Sequence, residues 1–181
     1  MQQAYSKLMR KNGPILIAGA ALLCLLLIRN APAIQFFKPN RGARLIVYLK
    51  AKEHFSSWNH VVVTVMLSNQ TQGTLLINSR MRTNRYPLDG ELSFIVLGPH
   101  EKEFKLQKAV TPRDLLDGEL STLRIGETTE QAVDLTELYG VSKHGTYRVQ
   151  VLYYNRFDLE KNGLKTWRGV IASEPVEFTL Q

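Results

Sequence analysis

The side chains able to do chemistry are few and scattered. His54, His60, His100 and His144 fall in or beside turn-rich stretches with no paired spacing, whereas a zinc or iron site needs three or four His, Cys or carboxylate ligands converging at bonding distance. They read as solvated loop histidines. The single cysteine, Cys24, lies inside an apolar run, so no intramolecular disulfide can form. Bulky Leu22 and Leu23 stand before it where a lipidation signal wants small residues. No Gly-x-Ser-x-Gly elbow, phosphate loop or dinucleotide fingerprint occurs. Asp114, Asp117 and Glu119 form a compact carboxylate group suited to a hard cation such as calcium, but they lack the ordering of a calcium loop and read as a solvated turn. Arg80, Arg82 and Arg85, with Asn84 and Tyr86, make one concentrated polar and aromatic loop. Guanidinium and phenol groups contribute well to interfaces, so Arg80, Arg82, Arg85 and Tyr86 are the expected contact for an acidic partner or a lipid headgroup. Asn69-Gln70-Thr71 matches a glycosylation acceptor. No catalytic, cofactor-binding or metal-binding residue is expected.

Charge is distributed unevenly along the chain. Of the 23 Lys and Arg, Lys7, Arg10, Lys11, Arg29, Lys38, Arg41 and Arg44 precede the first acidic residue, Glu53; the remaining 16 balance the 16 Asp and Glu. The whole excess of +7 therefore sits at the N-terminus. A nucleic-acid-binding domain must neutralise a line of phosphates, which a neutral domain does poorly, so no nucleic-acid partner is expected. The pattern fits a membrane address instead.

That address has a recognisable form. Lys7, Arg10 and Lys11 lead into the uncharged stretch GPILIAGAALLCLLLI, residues 13–28, followed by Arg29. Ile15, Leu16, Leu22, Leu23, Leu25, Leu26, Leu27 and Ile28 are its expected membrane-anchoring side chains. Sixteen residues at about 1.5 Å each reach roughly 24 Å as a helix, short of a ~30 Å hydrocarbon core. Two readings stay open. Either Ala31-Pro32-Ala33 closes a signal peptide and the mature chain begins at Ile34, or the segment is retained as a signal anchor with Phe36 and Phe37 at the interface.

The elements that must position any site follow from the change of periodicity after residue 44. Short blocks of alternating or clustered hydrophobic residues place strands at 45–52, 61–68, 74–78, 92–97, 103–106, 121–125, 131–135, 146–154 and 175–180. Turn chemistry separates most of them, including Asp89-Gly90, Gly98-Pro99, Asp117-Gly118, His144-Gly145 and Asn162-Gly163. Single helical turns are expected at 111–116 and 135–139. No amphipathic crossover helix is visible, so the reading is all-β, an antiparallel two-sheet sandwich after one N-terminal hydrophobic helix. Residues 1–33 form the basic and apolar segment, 34–44 a basic linker and 45–181 the sandwich.

One local feature narrows the class. Gly145-Thr146-Tyr147 opens a strongly alternating strand, as at the tyrosine corner of immunoglobulin-like sandwiches, where the phenol hydroxyl bonds backbone at the preceding turn. Residues 61–180 carry Val65 to Asn69, Gly73 to Asn78, Asp134-Leu135 with Tyr139, Gly145 to Val149, and Trp167 to Ser173. In these motifs the chain resembles bacterial immunoglobulin-like domains, including the small sandwiches preceding the catalytic domain of deuterolysin-like peptidases and the proteinase-inhibitor domains of bacilli. The resemblance implies a fold, with Gly145, Tyr147 and Trp167 as structural residues; it implies no activity, since the chain has no His-Glu-x-x-His and no room for a second domain. The expectation is a non-enzymatic binding or scaffold domain, membrane-anchored or exported, with an unidentified protein partner. The alternative is a peptidase inhibitor working through an exposed loop at 79–87.

Overall fold

The computed structural model describes residues 36–37, 45–56, 60–84, 91–107 and 113–181. The chain divides into two units, Met1–Gln35 and Phe36–Gln181, and the second holds every described residue. The expected hydrophobic helix, its anchoring side chains from Ile15 to Ile28, and Arg85 and Tyr86 all lie outside the described residues. Among the described residues no helix is long and apolar enough to cross a membrane.

The described chain is all-β. Its strands are β1 (Leu45–Lys50), β2 (His54–Phe55), β3 (Val62–Asn69), β4 (Leu75–Asn78), β5 (Leu92–Leu97), β6 (Glu103–Phe104), β7 (Leu120–Leu123), β8 (Thr128–Asp134), β9 (Gly145–Asn155), β10 (Glu160–Lys161), β11 (Leu164–Lys165), β12 (Gly169–Ala172) and β13 (Val176–Leu180). One sheet runs β1-β3-β8, antiparallel throughout. A larger one runs β2-β13-β9-β5-β6 with β12 beside β9, and only its β2–β13 pair is parallel. β4 pairs with β7, and β10 with β11.

Alternation decides which side chains meet. On β3, Val63, Val65 and Leu67 are buried while Val62 is exposed and Thr64 and Met66 half-buried, the period of a strand with one covered face. On β9, Tyr147, Val149, Val151 and Tyr153 are all fully buried. These residues share a single apolar cluster with Leu92, Phe94 and Val96 of β5 and Val47 and Leu49 of β1, an arrangement compatible with a β-sandwich.

β9 is tied at its start, middle and end. At the start, the Tyr147 hydroxyl donates to the Lys143 carbonyl at 2.8 Å and accepts from the Lys143 N–H at 3.2 Å, while its ring stacks on Phe178 with centroids 5.3 Å apart. Gly145 has φ 132°, and a Cβ there would lie 2.5 Å from the Pro99 ring, so only glycine admits this turn. At the end, Tyr153 donates to the Asn78 carbonyl at 2.9 Å and packs on Trp167, 5.7 Å between centroids.

The middle tie has no local signal in the sequence. Gln150 is fully buried. Its Oε1 accepts from the Phe37 N–H at 2.7 Å, and its Nε2 donates to the Phe37 carbonyl at 2.6 Å and the Ser173 carbonyl at 2.8 Å. Ser173 lies in the break between β12 and β13, where its hydroxyl accepts from the Val151 N–H at 3.2 Å. One carboxamide thus closes a gap in the ladder and holds the incoming chain. The Phe36 ring adds a cation–π contact, 4.8 Å from the Arg148 guanidinium carbon. The folded unit therefore begins at Phe36, inside the stretch expected as a linker. Most expected strands are present within a few residues at their ends, and the expected turn at 135–139 is a short helix, α1 (Leu135–Tyr139). β2, β10, β11 and β12 are not among the expected strands: three have two residues each, too short for a period, and β12 has four, starting at Gly169, with no alternation.

A fragment starting at Ala43 lacks the Phe37 backbone that Gln150 holds. We expect it to unfold about 1–3 kcal/mol more easily than one starting at Phe36. Gln150→Ala should largely erase that difference in a denaturant cycle of the two fragments.

Candidate interaction site

The loop after β4 is built around one buried carboxylate. Asn78, at the end of β4, and Glu91, just before β5, are both buried, and the Arg80 side chain between them is only 4% exposed. Glu91 Oε1 accepts from Arg80 Nε at 2.9 Å and from Asn78 Nδ2 at 2.9 Å, and Arg80 Nη2 completes a forked ion pair. Glu91 Oε2 accepts from the Arg82 N–H at 2.9 Å. Asn78 Oδ1 in turn accepts from the Arg80 N–H at 3.1 Å. Two buried opposite charges are tolerable only when every remaining hydrogen-bonding site is met, and here the carboxylate has four donors.

The backbone closes around this pair. Met81 turns inward at φ 47° and is buried. The Asn84 N–H then donates to the Leu92 carbonyl at 2.8 Å, and the Leu92 N–H to the Arg82 carbonyl at 2.9 Å. Residues 79–84 therefore form a pinned structure.

Of the expected contact residues, Arg80 and Arg82 are described. Arg80 faces inward, engaged by Glu91, with its Nη1 3.2 Å from the Asp114 carbonyl and its guanidinium 5.8 Å from the Phe157 ring centroid. Arg82 is half-buried and gives its N–H to Glu91. Arg85 and Tyr86 lie outside the described residues.

A second ion pair braces the loop from outside. Glu119 takes both guanidinium nitrogens of Arg113 and accepts from the Leu116 N–H at 2.9 Å. The Arg113 hydrogen bond and then the Leu116 N–H hold its carboxyl down to about 2, and the same carboxylate raises Arg113. Glu119 is thus occupied by cations of the protein itself. Among the described residues no group of three or more His, Cys, Asp or Glu is placed to hold a metal ion.

The remaining polar candidates are also drawn into structure. His54, His100 and His144 are exposed and apart, while His60 pairs with Asp134. Asp134 also caps α1, accepting from Thr136 N at 2.8 Å and Glu137 N at 3.2 Å. The glycosylation acceptor Asn69 is fully buried, its amide donating to the Leu123 carbonyl at 2.7 Å and the Gly73 carbonyl at 2.8 Å. A folded chain cannot present that nitrogen to a transferase. Burial pushes the Tyr147 and Tyr153 hydroxyls up, away from acid–base use near neutrality.

Two concavities open on the larger sheet. One of about 520 Å³ is lined chiefly by Phe37, Phe94, Ile95, Phe104, Leu106 and Leu152, with the Lys105–Glu103 ion pair at its side. The other, about 350 Å³, lies by the Gly98–Pro99 turn between Arg148, Glu101 and Glu177. Arg148 there is 3.6 Å from Glu101. Compared with known proteins, the chain matches no family model and no curated protein.

Glu91→Ala leaves the Arg80 guanidinium buried without its counter-charge and should cost about 3–5 kcal/mol in urea unfolding. The double change Arg80→Met with Glu91→Leu removes both charges and should cost much less. For Glu119 the folded value lies below the unfolded one, near 4.3. Its stabilisation is therefore complete above that range and lost as pH falls toward about 2. Thermal melts of the protein and of Glu119→Gln should differ at neutral pH and converge by about pH 2.

Proposed function

We propose that this protein is a non-enzymatic binding or scaffold module of the immunoglobulin-like class, targeted to or held at a membrane by its N-terminal segment and presented on the extracytoplasmic side. The observation that carries the reading is the segregation of charge and hydropathy: seven basic residues and one apolar run before residue 45, then a domain in which acid and base balance. A long domain after such a run translocates largely regardless of its charge. The immunoglobulin-like assignment is supported by the Tyr147 hydroxyl returning to the Lys143 backbone, the bond of a tyrosine corner. The binding role is supported by where the reactive groups lie: Arg80, Glu91, Glu119 and Asp134 are each taken up in ion pairs or a helix cap.

A second reading, a peptidase inhibitor, is favoured by the pinning of residues 79–84, because an inhibitory loop gains affinity from being held in one conformation before it binds. Stoichiometric inhibition of a protease panel by the protein would select that reading.

The targeting claim has its own test. If the segment is a retained anchor, the native protein keeps its N-terminus, stays in the membrane pellet through high-salt washing and is released by detergent. Electrostatic adhesion through Lys38, Arg41 and Arg44, about 1 kcal/mol per charge, is instead screened by salt. A start at Ile34 identifies cleavage. Under either form, Leu25→Asp with Leu26→Asp should leave the protein in the cytoplasm; unchanged recovery outside it would refute export.

A further inference from the structure

The two large sheets end differently at their edges. The larger one finishes in β2 and β6, strands of two residues each, which is one way proteins deny a template to foreign strands. The smaller one finishes in β1, six residues long, and in β8, seven residues long and paired with β3 in unbroken register from Val62↔Asp134 to Ser68↔Thr128. β8 carries no proline, lysine or bulge. Among the described residues β3 is its only strand partner.

The direction of its backbone groups can be read from its two ends. The Glu127 carbonyl accepts from the Asn69 N–H at 3.0 Å, and the Leu135 N–H donates to the Val61 carbonyl at 2.9 Å. Odd-numbered positions therefore bond toward β3. By the two-residue period, Thr128, Glu130 and Ala132 turn their N–H and C=O groups outward. Gln131 Nε2 confirms the direction, since it donates to the Ala132 carbonyl at 2.9 Å from that outer side. Thr128, Glu130 and Ala132 are themselves exposed.

Acidic residues predominate along this stretch of the chain, with Arg124 just before it. Between Ile125 and Ser142 the chain holds Glu127, Glu130, Asp134 and Glu137 and no Lys or Arg. A strand added here places alternate side chains beside Thr128, Glu130 and Ala132, where lysine or arginine is favoured and a carboxylate is repelled.

We propose that the outer edge of β8 is a strand-addition site for an extended, basic peptide segment of another protein. The added strand takes ladder bonds from Thr128, Glu130 and Ala132 and displaces the Gln131 carboxamide from the Ala132 carbonyl. Main-chain pairing supplies the affinity, and the acidic flank selects basic sequences. This deepens the binding-module reading, on which it rests.

The test uses the full chain in detergent micelles and a fluorescent peptide, Thr-Lys-Val-Lys-Thr-Lys-Val, with a matched peptide carrying Glu for Lys. The expected result is saturable anisotropy change with the basic peptide only, weakening as salt is raised. Ala132→Pro deletes an outward N–H at an edge position where proline is tolerated, and should weaken binding about tenfold or more. Ala132→Val keeps the N–H and should retain binding. Glu130→Lys, at an exposed position, should weaken binding about tenfold without disturbing the fold, and decides the matter alone if the proline variant does not fold. Equal binding of the acidic peptide, unchanged binding by Glu130→Lys, or pairing of two copies through β8 with no peptide binding would each overturn the proposal. Such failure leaves the module reading standing, because fractionation and the protease panel read that separately.

Discussion

The structure depends on β9 being covered on both faces and tied along its whole length. Its inward side chains, Tyr147, Val149, Val151 and Tyr153, lie in the main apolar cluster, and its outward Gln150 and Leu152 are buried as well. A strand buried on two faces must satisfy its polar atoms without water. β9 does so through β5 on one side and the broken pair β12 and β13 on the other. The break is where strain would collect, and there the Gln150 side chain and the Ser173 hydroxyl replace missing backbone partners.

The same strand organises what surrounds it. Tyr147 fixes the turn that starts it, Gln150 fixes the point at which the N-terminal chain joins the unit, and Tyr153 reaches the carbonyl of Asn78. Asn78 then orients Glu91 and Arg80, so the buried ion pair hangs from β9 through one asparagine. A buried pair of this kind adds little net stability, but losing one member is costly. Its effect here is to give residues 79–84 one conformation, which bears on any role in which that loop meets a partner.

In the proposed binding role, recognition rests on backbone edges and loops. The larger concavity mixes the rings of Phe37, Phe94 and Phe104 with Ser93 and the Lys105–Glu103 ion pair. The edge of β8 offers ladder groups in a fixed direction, with Glu127 and Glu130 along it. In the proposed role, a surface of that kind distinguishes partners by strand propensity and charge.

The sequence by itself determined what depends on neighbours along the chain. Alternation in 61–68 and 146–154 and the turn residues between blocks placed the long strands, because a two-residue period and a positive-φ glycine are local properties. Gly145 and Tyr147 were legible as a corner for the same reason, and the separation of basic from neutral chain needed only counting. Tertiary structure alone decided the pairings. Arg80 read as an interface residue until Glu91 was seen beneath it, and no local signal ties a carboxylate 11 residues away to that guanidinium. Gln150 looked like one polar residue in an apolar strand, and its partner Phe37 stands 113 residues off in a stretch expected as linker. Asn69 matched a glycosylation acceptor and is instead a buried brace. Which edge stays open was equally undecidable from the sequence, since it depends on which strands end up as neighbours: burial and hydrogen bonding act across space, and a sequence records only the order of the groups that will meet.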